Sequence, residues 1–122
     1  MNEATPIILD SGADMSVLPL EYMNVGFALG KKSVLRDAQG NIMPGGALRE
    51  ALVEMVDGAG NMVAIKETFA LSNVAEPLLA LGKLLKKGWK VEGHDGEVYL
   101  SFGEFNMAVQ SRHNSLVTAS FT

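Results

Sequence analysis

Short apolar stretches separated by turn residues dominate the hydrophobic pattern of the chain. Clusters rich in Gly, Asp, Asn and Pro lie between stretches that are apolar or that alternate apolar with polar residues. This pattern is typical of β-strands joined by tight turns. It predicts a mostly β fold with strands over residues 6–10, 16–18, 33–35, 48–56, 62–71, 89–92, 97–102, 105–109 and 115–119.

One stretch departs from the β pattern. Leu81 opens a run of helix-forming residues with lysines near its end and a stop at Gly88, which predicts a helix over about residues 81–87. Residues 48–56 are ambiguous, because Leu48, Leu52 and Met55 also suit one face of a helix. We favour a strand there, since turn clusters bound the stretch on both sides.

Turn residues predict two hairpins. Asp95-Gly96 between alternating runs is a strong turn signal. The other hairpin covers about residues 33–50 with Gly40 at its tip, and Pro-Gly-Gly at residues 44–46 interrupts its returning strand, as at an edge or a bulge. Before it, Gly26 and Gly30 predict a loop that follows one helical turn over residues 20–23.

Asp10 directly follows three large apolar residues, Ile7 to Leu9. We therefore expect a buried strand that delivers the carboxylate to a turn inside the molecule. A buried carboxylate is costly unless it is paired or hydrogen-bonded. Ser11 offers a hydroxyl, and Gly12 lets a backbone N–H approach closely because it has no Cβ. These residues predict a functional site.

Aspartic proteolysis is the chemistry that uses an Asp in such a turn. Two carboxylates about 3 Å apart share one proton, and one activates water while the other donates to the scissile carbonyl. Asp57 and Asp95 stand in Asp-Gly turns that we expect to be exposed, and Asp37 belongs to the hairpin. Asp14 is too near Asp10 in the chain to face it. The second carboxylate is therefore expected from a twofold-related copy.

Two other interpretations of Asp10-Ser11-Gly12 compete with this one. These residue types are common in ordinary turns. Followed by Ser16, they also imitate a phosphodegron, but such signals need a disordered polar setting and this setting is apolar.

The stretch Leu9-Asp10-Ser11-Gly12-Ala13-Asp14 with its apolar flanks resembles the active-site signature of retropepsins, the dimeric aspartic proteases of retroviruses and retrotransposons. The resemblance implies a retropepsin-like closed β-barrel-type half with one short helix, working as a C2 dimer. No cofactor is expected, and the residues themselves show no metal site, since there is no cysteine and there are only two histidines. The implied catalytic residues are Asp10, Ser11 and Gly12.

The resemblance also implies a substrate cleft. In retropepsins a glycine-containing hairpin called the flap covers the substrate, and the tip around Gly40 lies at a similar distance beyond the catalytic turn. Substrate backbone would hydrogen-bond to it as to an added strand. The alternative is an ordinary surface hairpin. The residues implied to bind substrate are Ala13, Asp14, Ala38, Gln39 and Gly40.

Residues 77–91 resemble the segment that ends copia-type retrotransposon proteases. In the wider family an apolar pair followed by glycine packs behind the catalytic loop and leads into a helix. Pro77 stands where copia-type sequences usually have Asn. Lys83 stands where retroviral enzymes have an Arg that grips the Asp of the motif in a bidentate geometry, which Lys cannot reproduce. Whether Lys83 pairs with Asp14 stays open.

The implied function is that of a homodimeric aspartic endopeptidase that processes a retrotransposon polyprotein, in the cytoplasm or in retrotransposon particles. Leu116-Val117 is the candidate segment for interleaving the termini of two chains. The alternative is a retropepsin-like fold that only dimerises or binds peptides. The intact Asp10 favours the enzyme, because such a module has no physical need for a buried acid there.

Composition and charge narrow the remaining classes. The 122 residues, 48% of them hydrophobic, predict a single domain over residues 1–122. A net charge of -4 without a long basic run argues against nucleic acid as a partner. The absence of cysteine excludes disulfides, and His94 and His113 are expected at the surface or in loops. No membrane span or signal-peptide start is visible, which predicts a cytoplasmic protein.

Overall fold

The structure, a computed structural model, describes residues 5–36, 39–43, 45–110 and 115–121. Within these ranges the chain is mostly β, which confirms the predicted class. A short 3-10 turn at Leu20–Tyr22 confirms the predicted helical turn. The elements in chain order are β1 (Thr5–Asp10), β2 (Ser16–Pro19), β3 (Phe27–Lys32), β4 (Leu35–Arg36), β5 (Ile42–Met43), β6 (Gly45–Val56), β7 (Met62–Ser72), β8 (Leu78–Ala80), α1 (Leu81–Lys86), β9 (Lys90–His94), β10 (Glu97–Phe102), β11 (Phe105–Val109) and β12 (Ser115–Phe121).

A seven-stranded sheet with the order β12-β1-β8-β2-β7-β6-β3 combines strands from the first 80 residues with β12 from the C-terminal end. The short strand β8 lies between β1 and β2, parallel to the first and antiparallel to the second. The three residues of β8 are apolar, which suits a central position in the sheet. The segment before α1 is therefore inserted between the two strands that the Asp10 turn joins.

The last strand, β12, pairs with β1 and also with β6. Leu116, predicted to enter a dimer sheet, lies opposite Ile7 of its own chain, and its role in a dimer stays a prediction. The pairing of β12 with β6 covers three residues of β12, Ala119 to Phe121, which lie opposite residues 55 to 53 of β6. Because β12 pairs with both β1 and β6, it connects the two ends of the strand order β12-β1-β8-β2-β7-β6, and β3 lies at the edge. The closed barrel-type half implied by the resemblance stays a prediction.

Aromatic packing fixes the end of β12 over the core. The Phe121 ring meets Phe69 and Tyr22 edge to face, with centroids 5.9 and 5.4 Å away. Ile7 and Phe69 are fully buried beside it. Because each such side chain stabilises the fold by about 1.5–3 kcal/mol, this cluster holds β1 and β7 together below the turn that follows β1.

The prediction of a loop around Gly26 and Gly30 is wrong, because residues 27–32 form β3. All six residues of β3 are exposed, so the strand has no alternation that sequence reasoning can detect. Pairing with β6 forms it instead, with Phe27 opposite Glu50 and a register shift between Ala28 and Lys32. At Gly26 an added Cβ would lie 2.0 Å from the Glu50 carbonyl oxygen, so only glycine permits this approach.

The hairpin with Gly40 near its tip is confirmed as a structural element. β4 and β5 form its two-stranded sheet, and β4 covers Leu35–Arg36 rather than residues 33–35. Its base is joined by a hydrogen bond from the Ser33 N–H to the Gly46 carbonyl, 2.8 Å. The predicted interruption is a bulge, because the register between β6 and β7 shifts between Gly45 and Leu48; Pro44 lies outside the described residues.

The other predicted elements are confirmed with small shifts. The strands 48–56 and 62–71 are the antiparallel pair β6 and β7. α1 ends at Lys86, one residue before the predicted end. β9, β10 and β11 form a separate three-stranded sheet with Asp95-Gly96 at the predicted turn. His94 is exposed at the end of β9, and His113 lies outside the described residues.

Candidate active site

Asp10 is the last residue of β1, at the point where the strand leaves the sheet. Ile7 and Leu9 are buried and anchor the strand, whereas Asp10 is half-buried and Ser11 and Gly12 are exposed. The expectation of a carboxylate inside the molecule is therefore wrong for the single chain. The physical reason is that the turn extends past the end of β8, so the core covers the strand but not the turn.

A hydrogen bond inside the turn holds the Asp10 carboxylate. The Gly12 N–H donates to Asp10 Oδ1 at 2.9 Å, and the Ala13 N–H donates to the Asp10 carbonyl oxygen at 3.5 Å. The predicted N–H approach at Gly12 is thus present. A Cβ at Gly12 would meet Asp10 Oδ1 at 3.6 Å, an ordinary contact, so the approach does not itself require glycine. Among the described residues the donor to this carboxylate is Gly12 and not Ser11.

The residues predicted to bind substrate fall into two groups. Ala13 is half-buried and Asp14 exposed, between the Asp10 turn and β2. Gln39 and Gly40 are exposed at the hairpin tip, where the Arg36 guanidinium donates to the Gly40 carbonyl at 2.9 Å. Ala38 and Asp37 lie outside the described residues. The contact of these two groups with substrate stays a prediction.

A buried polar network behind the turn was missed by sequence reasoning. The Ser16 hydroxyl donates to Glu67 Oε2 at 2.8 Å and accepts the Ala80 N–H at 3.0 Å. Ser16 is fully buried, and Glu67 is 2% exposed. The sequence of β7 did indicate an inward-facing acid. Glu67 lies two and four residues before the buried residues Phe69 and Leu71, so all three side chains lie on the same face of the strand.

Two lysines of the α1 region compensate the buried charge of Glu67. Lys83 Nζ lies 3.2 Å and Lys87 Nζ 3.5 Å from Glu67 Oε1. The Thr68 N–H also donates to this oxygen, at 3.2 Å. Within the described chain, the carboxylate paired with Lys83 is thus Glu67 and not Asp14.

Asp57 corrects another expectation, because it is 8% exposed and not a solvated turn residue. Its oxygens accept hydrogen bonds from the Asn61 side chain at 3.0 Å and from the backbone N–H groups of Asn61, Ala59 and Asn106. The Asn61 side-chain hydrogen bond is the largest cause that lowers the pKa of Asp57, and the backbone N–H groups lower it further against the opposing effect of burial. Asp57 thus joins the β6–β7 turn to β11, while Asp95 is exposed as expected.

The surface depressions that the structure describes lie away from Asp10. Two surface depressions of about 330 and 310 Å³ lie around Phe102, and Asp10 lines neither. No group of three His, Asp or Glu residues suited to a metal ion occurs in the part of the chain that the structure describes. Over the same residues, no helix has the length and apolar character needed to cross a membrane.

Comparisons of the chain with protein-family models, with curated proteins and with solved structures find no match. Any assignment of function therefore rests on the residues around Asp10.

Proposed function

We propose that the chain is one subunit of a homodimeric aspartic endopeptidase of the retropepsin type. The observation that carries the proposal is the position of the Asp10 carboxylate, held by the Gly12 N–H at the end of a buried strand. Both oxygens of Asp57, by contrast, are occupied by several donors. Asp10 has one oxygen bound by Gly12 and remains half-exposed, which leaves it accessible to a second copy and to substrate.

In the proposed mechanism the Asp10 turns of two subunits face each other across a twofold axis. Carboxylates about 3 Å apart share one proton. The ionised group takes a proton from a water molecule, which attacks the scissile carbonyl carbon, and the protonated group donates to the carbonyl oxygen, giving a tetrahedral diol. The group that took the water proton then donates it to the amide nitrogen, the other group takes a proton from a diol hydroxyl, and the C–N bond breaks to leave an amine, a carboxylic acid and the original singly protonated pair. The Gly12 N–H holds each carboxylate, and the hydroxyl of Ser11, which is exposed in the single chain, would help to orient the pair.

The dimer would also complete the substrate cleft. In this proposal the substrate cleft lies between two subunits, each of them a closed barrel-type half. Ala13 and Asp14 would line it beside the catalytic turn. The hairpin tip at Gln39 and Gly40 would close over the peptide and bind its backbone as an added strand. The proposed substrate is a retrotransposon polyprotein, cleaved in the cytoplasm or in retrotransposon particles.

Digestion of a peptide library tests this proposal. The chain is incubated with the library with and without pepstatin, a transition-state inhibitor of aspartic proteases, because transition-state analogues bind far more tightly than substrates. We expect cleavage that pepstatin abolishes. Peptides that bind without being cleaved would identify a binding module instead, and cleavage that pepstatin leaves unchanged would contradict the proposed chemistry.

A further inference from the structure

We infer that Ser16, held by the buried carboxylate of Glu67, is a positioning residue for the Asp10 turn. The inference rests on the proposed function and deepens it. Ser16 opens β2 directly after the turn, whereas Glu67 lies on β7, far away in the sequence. Neither residue belongs to the motif around Asp10, and both are buried.

Ala80 is the common anchor for both ends of the turn. Asp10, at the start of the turn, lies opposite Ala80 where β1 pairs with β8. Ser16, at its end, accepts the Ala80 N–H through its hydroxyl oxygen at 3.0 Å. The turn between them spans residues 11–15 and is therefore held at both ends to one residue. Any shift of β2 relative to β8 changes the separation of those ends and with it the direction of the Asp10 carboxylate.

Glu67 sets the orientation of the Ser16 hydroxyl. An ionised carboxylate only accepts hydrogen bonds, so the hydroxyl proton must point to Glu67 Oε2, 2.8 Å away. The lone pairs of Ser16 Oγ are then available to the Ala80 N–H. The second carboxylate oxygen, Glu67 Oε1, contacts Lys83, Lys87 and the Thr68 N–H, which hold the carboxylate in place. These donors fix the orientation of the buried Glu67 carboxylate, and the carboxylate in turn fixes the direction of the Ser16 hydroxyl.

Ser16→Ala is the test variant, and Ser101→Ala is its matched control. Ser101 is also a buried strand serine, with its hydroxyl 2.7 Å from Asn106 Oδ1, but it lies in the three-stranded sheet and pairs with β9 and β11 rather than with β1, β2 or β8. Ser16→Thr keeps the hydroxyl on a side chain that suits a strand and is the conservative rescue. Each variant is measured for kcat and KM on a cleaved peptide, for thermal unfolding, and for the NMR amide signals of Gly12 and Ala80.

We expect Ser16→Ala to lower kcat by about ten- to a hundredfold, as small misplacements of a reacting group do, with KM changed much less. The Gly12 amide signal should shift and the Ala80 amide should exchange faster with solvent. Ser16→Thr should restore kcat, the Gly12 amide signal and the slower exchange of the Ala80 amide. Ser101→Ala should lower the unfolding temperature but leave kcat and the Gly12 signal as in the wild type.

An unchanged Gly12 signal in Ser16→Ala, or a kcat equal to that of Ser101→Ala, would overturn the inference. If Ser16→Ala does not fold, Glu67→Gln, which keeps the volume but places an N–H₂ group in the network, is judged by the same criteria. The NMR readout separates the two proposals. A wild-type chain that cleaves nothing refutes the proposed function, and the response of the Gly12 signal still decides whether Ser16 positions the turn.

Discussion

Lys83 Nζ lies 3.2 Å from Glu67 Oε1 and 3.5 Å from the Thr68 carbonyl oxygen, so one ammonium joins α1 to β7. The resemblance to retroviral enzymes raised Asp14 as the partner for this position. A lysine cannot form the fork that an arginine uses to grip a carboxylate. It acts as a compact charge instead, and the structure gives it a buried carboxylate on the neighbouring strand.

Lys83→Met should therefore destabilise the fold. Removing one partner of a buried ion pair costs about 3–5 kcal/mol, but the Lys83 side chain is 29% exposed and Lys87 remains beside Glu67. We expect a loss of about 1–2 kcal/mol in the free energy of unfolding, measured with urea. Lys66→Met is the control, because Lys66 lies 3.9 Å from Glu50 at the surface and such pairs contribute about 0–1 kcal/mol. Equal losses in the two variants would show that Glu67 does not depend on Lys83.

Asp10→Asn should abolish peptide hydrolysis without unfolding the chain. Asn keeps the shape and can still accept the Gly12 N–H, but it cannot act as a base or share a proton, so kcat/KM should fall by about 10²–10⁴-fold or more. Asp95→Asn is the matched control in an exposed turn where Asn tolerates the positive φ of 52°. An Asp10→Asn variant with wild-type kcat/KM would show that Asp10 is not catalytic.

Gly40→Val should impair turnover if the hairpin closes over substrate. Gly40 has φ +87°, and among the described residues no atom lies within 4 Å of the position that an added Cβ would take, so the cost is conformational and not steric. A β-branched residue in this region costs about 1–2 kcal/mol, which corresponds to about a tenfold loss of turnover where the turn must form for catalysis.

Gly60→Val is the control for the hairpin. Gly60, between β6 and β7, has the same φ of +87° and the same open surroundings. Its substitution should lower stability to a similar extent but leave turnover per folded enzyme unchanged. Equal turnover in the two variants would show that the hairpin at Gly40 has no part in catalysis.

Asp57→Asn should destabilise the protein at neutral pH and much less in acid. Because the folded protein lowers the pKa of Asp57 below its ordinary value of 3.8, the unfolded chain binds more protons between the two pKa values. The stabilisation is therefore complete above about pH 4–5 and is lost as pH falls through the lowered pKa. Urea unfolding of variant and wild type at neutral and strongly acidic pH checks this, with Asp95→Asn as control. A stability difference that grows toward acid pH would refute it.

Much of the fold follows from local patterns. The Asp95-Gly96 turn, the β6–β7 pair and the helix after Ala80 all have turn residues or periodicity that sequence reasoning detects. β3 has neither, because it forms only through pairing with β6. The strand β8 was not predicted, since no local signal tells that three apolar residues will insert between β1 and β2.

In the candidate site, too, contacts between chain neighbours could be predicted, whereas contacts between distant residues could not. Asp10 and Gly12 are neighbours in the chain, and their hydrogen bond follows from the turn. Ser16, Glu67 and Ala80 meet only in the folded sheet, although the parity of Glu67 in β7 indicated an inward-facing acid. The burial of Asp57 depends on Asn106, which comes from the other sheet, so its Asp-Gly context alone predicted the wrong environment.

The central claim is that two Asp10 carboxylates from two copies form one active site, and mixing wild type with Asp10→Asn tests it most directly. The two proteins are combined in equal amounts at constant total concentration, allowed to exchange subunits, and assayed on a cleaved peptide. Random pairing leaves about one quarter of the dimers with two aspartates. The account predicts about one quarter of the wild-type rate, whereas about one half would mean that each wild-type chain acts alone and would contradict it.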